Sequence, residues 1–232
     1  MAHTIGTLPA RASSAGNPIT FSQEVLPGET VFVLMLKVNG GTNRAGGAPT
    51  WGEFTFNQAN TVQKAATSPE ASTELWYLLN PPPGTKTVTI PNTGALTVFR
   101  QVAMGRAKAG GRSQFNGASG GNGTSTNPSP GAIASCLAGD IVFATVASGA
   151  TTWAPGSQAG TVIQNTDDGA HGGGTQYSLR GADGSFTLNW TFATSDDWGA
   201  VAAAFSEIAP HAFNNYLGVK VGDGMGVTEK IR

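Results

Sequence analysis

A nearly continuous apolar run, TVFVLMLKV (30–38), is shut in between Pro27-Gly28 and Asn39-Gly40-Gly41. This short run with hard borders constrains the chain more than any other feature. It falls well below the ~18 residues of a membrane span. It is rich in Val and Leu, so it reads as a strand buried on both faces, or one crossing a sandwich core. The same grammar recurs downstream. STELWYLL (72–79) stops at Pro81-Pro82-Pro83-Gly84, where proline removes ladder donors and forces a turn. TKTVTI (85–90) alternates, with Thr85, Thr87 and Thr89 on one face and Val88 and Ile90 on the other, as a half-exposed strand does. ALTVFRQVAM (95–104) follows. No segment requires a helix. Residues 200–205 contain helix-forming alanines, but Ser195-Asp196-Asp197-Trp198 before them reads as a turn feeding a strand.

The second half of the chain repeats the first in order. GETVFV (28–33) answers GDIVFA (139–144), a tryptophan follows each (Trp51, Trp153), and WYLLNPPPGTKTVTI (76–90) parallels QYSLRGADGSFTLNW (176–190). Both halves close on an apolar strand, LTVFRQVAM and WGAVAAAFSEI. Asp183-Gly184 is a strong hairpin turn. Between the halves, residues 107–131 are mostly Gly, Ser, Asn and Thr, which reads as a long crossover with at most a short strand near 112–115. Each half is expected to be unable to close its own core. The two should pack face to face as one antiparallel, jelly-roll-like β-sandwich of all-β class, with Val31, Val33, Leu75, Val142 and Phe205 in the core. The expected division is an N-terminal segment 1–17, a sandwich 18–209 and a C-terminal arm 210–232.

Composition removes several function classes. Only 27 of 232 residues are charged, 13 basic and 14 acidic, and 39% are hydrophobic, so neither charge-driven disorder nor a basic nucleic-acid surface is expected. The first six residues have neither the basic start nor the apolar core of a signal peptide. Cys136 is the single cysteine, which excludes an intrachain disulfide and a cysteine-based zinc site.

The motifs with chemical potential are weak. Gly117-Ala118-Ser119-Gly120-Gly121 matches G-x-S-x-G, but a nucleophile elbow needs a strand before it and a helix after it, and residues 123–130 cannot be helical. His171 stands beside Asp167 and Asp168, a grouping that suits a metal or proton transfer. The surrounding glycines favour an exposed hairpin loop instead. Asp196-Asp197 reads as a turn cap, since alternating oxygen ligands for calcium are missing. Among the tryptophans, Trp76 and Trp190 read as core residues at matching places of the repeat. Trp51 and Trp153, beside loops, are the candidates for stacking on a sugar. No catalytic residue, metal site or cofactor is expected.

Taken together, PGETVFVLMLKVNGG, STELWYLLNPPPGTKTVTI, the polar crossover, AGDIVFATVASG, QYSLRGADGSFTLNW and TSDDWGAVAAAFSEI resemble a class of β-sandwich proteins found in tailed-phage structural modules and bacterial surface proteins. The resemblance covers about residues 18–209 and carries no catalytic motif. It implies a non-enzymatic virion component, such as a capsid decoration, minor capsid or tail module. Such a protein would assemble in the host cytoplasm, with other virion proteins and copies of itself as partners and with neither nucleic acid nor membrane as a ligand. The alternative is a carbohydrate-binding or adhesion module, with a host-surface glycan as partner. After Pro210, Phe213, Tyr216, Leu217, Val219, Val221 and Met225 are too many apolar groups for a solvated tail. They lack a helical stripe, so they are the expected interface residues of an arm that adds an edge strand to a neighbour.

Overall fold

The computed structural model describes residues 3–6, 10–12, 18–39, 47–64, 71–91, 99–148, 153–156, 160–167 and 172–208. Among them every regular element is a strand and every strand pairing is antiparallel. The first half holds β1 (Thr4–Ile5), β2 (Ala10–Ala12), β3 (Ile19–Val25), β4 (Glu29–Asn39), β5 (Thr50–Trp51), β6 (Phe54–Thr55), β7 (Asn57–Lys64), β8 (Ala71–Leu79), β9 (Gly84–Ile90) and β10 (Phe99–Lys108). The second holds β11 (Arg112–Ser125), β12 (Ile133–Cys136), β13 (Ile141–Ser148), β14 (Trp153–Pro155), β15 (Thr161–Asp167), β16 (Gly172–Leu179), β17 (Gly184–Phe186), β18 (Trp190–Phe192) and β19 (Asp196–Ile208).

The strands stack in four layers. Two large sheets lie in the middle, ordered β1-β10-β4-β8-β7, with β2 also on β10, and β11-β19-β13-β16-β15. The outer face of the first is covered by the sheet β3-β9-β5-β6, and that of the second by the pairs β12-β17 and β14-β18. Three apolar cores separate the layers. Phe32, Leu34, Leu36, Trp76 and Met104 face the first cover, around Trp51 and Val88. Val142, Ala144, Val146 and Ala202 face the second, around Trp190 and Leu188. Between the large sheets lie Val31, Val33, Met35 and Leu75 from one side and Ile141, Phe143, Val201 and Phe205 from the other. The run 30–38 is thus buried on both faces. All five expected core residues are fully buried, and residues 200–205 are a strand inside β19.

The antiparallel all-β sandwich stands, but its core is not shared as expected. Each half closes its own core against its own cover, and the halves then join through a third. Each large sheet has apolar side chains on both faces, so each needs two partners.

The repeat is legible in the registers. Tyr77 lies opposite Val33, which lies opposite Gly105; Tyr177 lies opposite Phe143, which lies opposite Ala203. One row runs Ile5, Ala107, Val31, Leu79, and its counterpart Phe115, Phe205, Ile141, Leu179. Even the edge bulge recurs, between Gln58 and Asn60 in β7 and between Val162 and Gln164 in β15. The turns into β4 and β13 match as well. Glu29 N–H donates to Leu26 O and Asp140 N–H to Leu137 O, with Gly28 and Gly139 at φ 82° and 91°, the left-handed position a type II turn reserves for glycine. Stacking reverses the strand order. β11 lies on β7, β19 across β8 and β7, and β13 across β4 and β8, while β15 reaches β10. That is the arrangement a two-fold axis along the strands produces, as in an isologous dimer.

Four sequence expectations change here. The crossover is not a loop, because residues 112–125 form β11, paired along β19. Its glycines are there for closeness. A Cβ on Gly120 would lie 2.5 Å from Val62 Cγ2, and one on Gly121 2.6 Å from Ser129 O. The expected N-terminal segment also joins the sheet, since β1 and β2 occupy on β10 the edge that β11 occupies on β19. Finally, GETVFV and GDIVFA match only through the turn. The β4–β10 register skips Thr30, so beyond it Val31 corresponds to Ile141, and Phe32 and Phe143 face different cores. Trp76 in β8 and Trp190 in β18 are both core residues but not counterparts. Gln176 occupies the place of Trp76.

Candidate functional site

The described residues bring the most polar chemistry together where the halves meet, at the end of the stack holding the 109–111 connection. His3 and Ser113 are counterparts in the repeat, each two residues before Ile5 and Phe115, and they meet across the axis. His3 Nε2 lies 2.9 Å from Ser113 Oγ, and Nδ1 lies 3.0 Å from Gly139 O. A carbonyl can only accept, so Nδ1–H donates to Gly139 O. In the neutral ring Nε2 then accepts from the Ser113 hydroxyl. Ser113 Oγ is also 2.8 Å from Thr30 Oγ1, the residue that the β4 bulge adds. Asn80 clamps the same serine. Its Nδ2 donates to Ser113 O at 3.1 Å, and its Oδ1 accepts from Ser113 N at 2.9 Å. Asn80 takes φ 51°, a left-handed conformation that asparagine tolerates better than other side chains.

A serine hydrogen-bonded to histidine has the outline of an activated nucleophile. Here the pair is sealed, with His3 1% and Ser113 2% exposed, and the far ring nitrogen faces a carbonyl rather than an orienting carboxylate. The arrangement is a joint between the N-terminal strand and the second half. Beside it Arg106 Nη1 meets Glu29 Oε2 at 3.1 Å and donates to Glu24 O, tying β10 to β4 and to the cover strand β3. Both side chains are buried, so the attraction between them offsets part of the cost of taking two charges out of water.

The sequence candidates fall elsewhere. Trp51 is fully buried. Its Nε1 donates to Gln23 O at 2.9 Å, Phe54 stacks on it at 5.8 Å, and Phe32 meets it edge-on. No face is left for a sugar, which corrects that expectation. Trp153 is in β14, opposite Phe192, and its side chain lies outside the described residues. So do Asp168, His171, and the arm residues Phe213, Tyr216, Leu217, Val219, Val221 and Met225. Ser119 sits mid-strand opposite Ala202, donating to Gly131 O, so no strand–turn–helix elbow forms around it. Thr124 Oγ1 donates to Asp197 Oδ1, and burial raises the Asp196 carboxyl above its usual range. Sequence reasoning misses His3, Ser113 and Thr30 because their signal is pairing across 110 and 83 positions, which no local motif records.

One more buried group stands out. Lys37 is 1% exposed on the face of β4 that carries Val31, Val33 and Met35, between the halves. Burial lowers its pKa to about 7. Compared with known proteins, the chain matches no family model, no curated protein and no solved structure.

Proposed function

We propose that the protein is a non-enzymatic structural component of a tailed-phage particle, a capsid decoration or minor capsid protein that acts through subunit contacts. The observation that carries this reading is the use made of its polar side chains. His3, Ser113, Thr30, Asn80, Glu29 and Arg106 are spent in joints that hold one element to another. A stack of four layers with three cores is a rigid block, suited to bearing load between neighbours. Its partners in this reading are other virion proteins and copies of itself.

The arm 210–232 supplies the attachment. Leu217-Gly218-Val219-Lys220-Val221 alternates as an added edge strand does. Five such apolar side chains contribute about 7 kcal/mol gross on burial, before the cost of ordering the arm. Truncation after Pro210 should therefore leave the thermal midpoint nearly unchanged while incorporation into purified particles drops. Normal incorporation of the truncated protein would refute the arm's role, and absence of the intact protein from particles would refute the function. Binding of the intact protein to a glycan array would favour the adhesion-module reading instead.

A further inference from the structure

Each half opens on an edge strand that its own last strand receives. β1 and β2 lie on β10, and β11 lies on β19. Eight residues past Ala107 in β10, the chain reaches Phe115, the counterpart of Ile5. Eight residues past Phe205 in β19, the counterpart of Ala107, stands Phe213. The three positions share a pattern, with a histidine or serine two residues before a large apolar side chain and Gly or Asn after it: His3-Thr4-Ile5-Gly6, Ser113-Gln114-Phe115-Asn116 and His211-Ala212-Phe213-Asn214. The arm thus opens with the sequence of a third edge strand. The two edges already filled are unequal. β11 pairs with β19 from Arg112 to Ser125. On β10, β1 holds Ala107 and Lys108, and β2 holds Gln101, Val102 and Ala103. Among the described residues, Met104 and Gly105 therefore have a strand partner on the β4 side only.

We propose that residues 211–221 are an exchange strand, which adds antiparallel to β10 of a second copy of this chain in place of β1 and β2. The proposal rests on the arm's attachment role above and names its seat. Carrying the β11–β19 register over to the arm sets Phe213 opposite Ala107 and makes Asn214 the bulge that Asn116 is. It then sets Leu217 opposite Met104, Val219 opposite Val102, Lys220 opposite Gln101 and Val221 opposite Arg100. Met104 and Val102 face the first cover core, so Leu217, Val219 and Val221 fall on that one face. In β2 the residue opposite Val102 is Arg11, so the arm is the more apolar strand for this edge. The connection favours a second copy over the arm's own chain. The crossing from β10 to β11 uses Ala109-Gly110-Gly111. β19 stays paired up to Ile208, which leaves Ala209-Pro210 for the same crossing. That pair has no glycine, and a proline keeps the residue before it extended, which favours an arm that runs outward.

The test uses two full-length chains in solution, one carrying Gln101→Cys and the other Lys220→Cys, positions that the register sets opposite. Cys136 stays buried in both. Mixed under mild oxidation, the two should form a disulfide-linked heterodimer. Adding Val219→Pro to the second chain should cut its yield about tenfold or more, because proline removes a ladder donor. If the first pair misfolds, Arg100→Cys with Val221→Cys applies the same test one residue along. Absence of the heterodimer, or a yield that Val219→Pro leaves unchanged, would overturn the proposal. So would a chain with both cysteines that closes only an intrachain disulfide, which would put the arm on its own β10. Failure here while particle incorporation still needs the arm would assign the arm to a different virion protein. A heterodimer in solution with no protein in purified particles would leave the exchange standing and refute the virion reading.

Discussion

At the scale of single residues, the contacts that matter most lie where the repeat is broken. Phe143 and Val33 are counterparts, yet the residue beside Phe143 across the layer is Gly105, whose own counterpart is Ala203. A Cβ on Gly105 would lie 2.2 Å from Phe143 Cε1 and 2.7 Å from Val33 Cγ2. Large against small on one side of the axis, and medium against small on the other, commits each half to the other rather than to a copy of itself. Gly105→Ala should cost about 1–3 kcal/mol in urea unfolding through overpacking. Phe143→Leu in the same chain should recover part of that loss. Fully additive losses would show that the two residues do not share the contact. The Glu29–Arg106 pair gives a second test. Arg106→Met removes the cation beside the buried Glu29 carboxylate, so a loss of about 3–5 kcal/mol is expected. A change below about 1 kcal/mol would mean that water already reaches Glu29.

At the scale of elements, the turns before β4 and β13 are the same device used twice. In each, a carboxylate accepts from the first turn amide, Leu26 N–H to Glu29 Oε2 and Leu137 N–H to Asp140 Oδ2, both at 2.8 Å. Gly28→Ala and Gly139→Ala should each cost about 1 kcal/mol, since both need positive φ and neither is compensated elsewhere. Unequal costs in the unfolding midpoint would separate the two turns. These turns and the strands they start were legible in the sequence, because Pro-Gly and Ala-Gly-Asp punctuate apolar runs of strand length. β11 was not. Its composition is that of a loop, and its strand state depends on Trp198, Val62 and Ser129 packing where side chains would otherwise stand. The bulge at Thr30 was equally hidden, and one inserted residue turned the face of every residue beyond it. For Trp51, the nearby loop suggested exposure, yet β5 tucks under the Lys86–Glu53 ion pair and buries the ring. Position in the chain does not report the height of a strand within a stack.

At the scale of the molecule, the question is whether the connection 109–111 holds the halves together or merely joins them. Among the described residues, the layer between them contains eight buried apolar side chains larger than alanine, four from each half. At ~1.5 kcal/mol each their burial contributes roughly 12 kcal/mol gross. Association of two separate bodies costs an estimated ~4–15 kcal/mol. The apolar layer alone is therefore close to balance, and the polar joint at the hinge decides the outcome. His3, Ser113, Thr30 and Asn80 add directional bonds that only the paired state makes, each contributing about 1 kcal/mol net. A protease site placed between Lys108 and Arg112, then cut in the folded protein, should leave one species on size exclusion at micromolar concentration. The same cut in a His3→Ala, Asn80→Ala background should release two species of about half the mass, each still rich in β-structure because each half keeps its own cover and core. Separation of the cut wild-type halves would show that the connection holds them by proximity. Unfolding on release would show instead that the first and second cores cannot stand without the third.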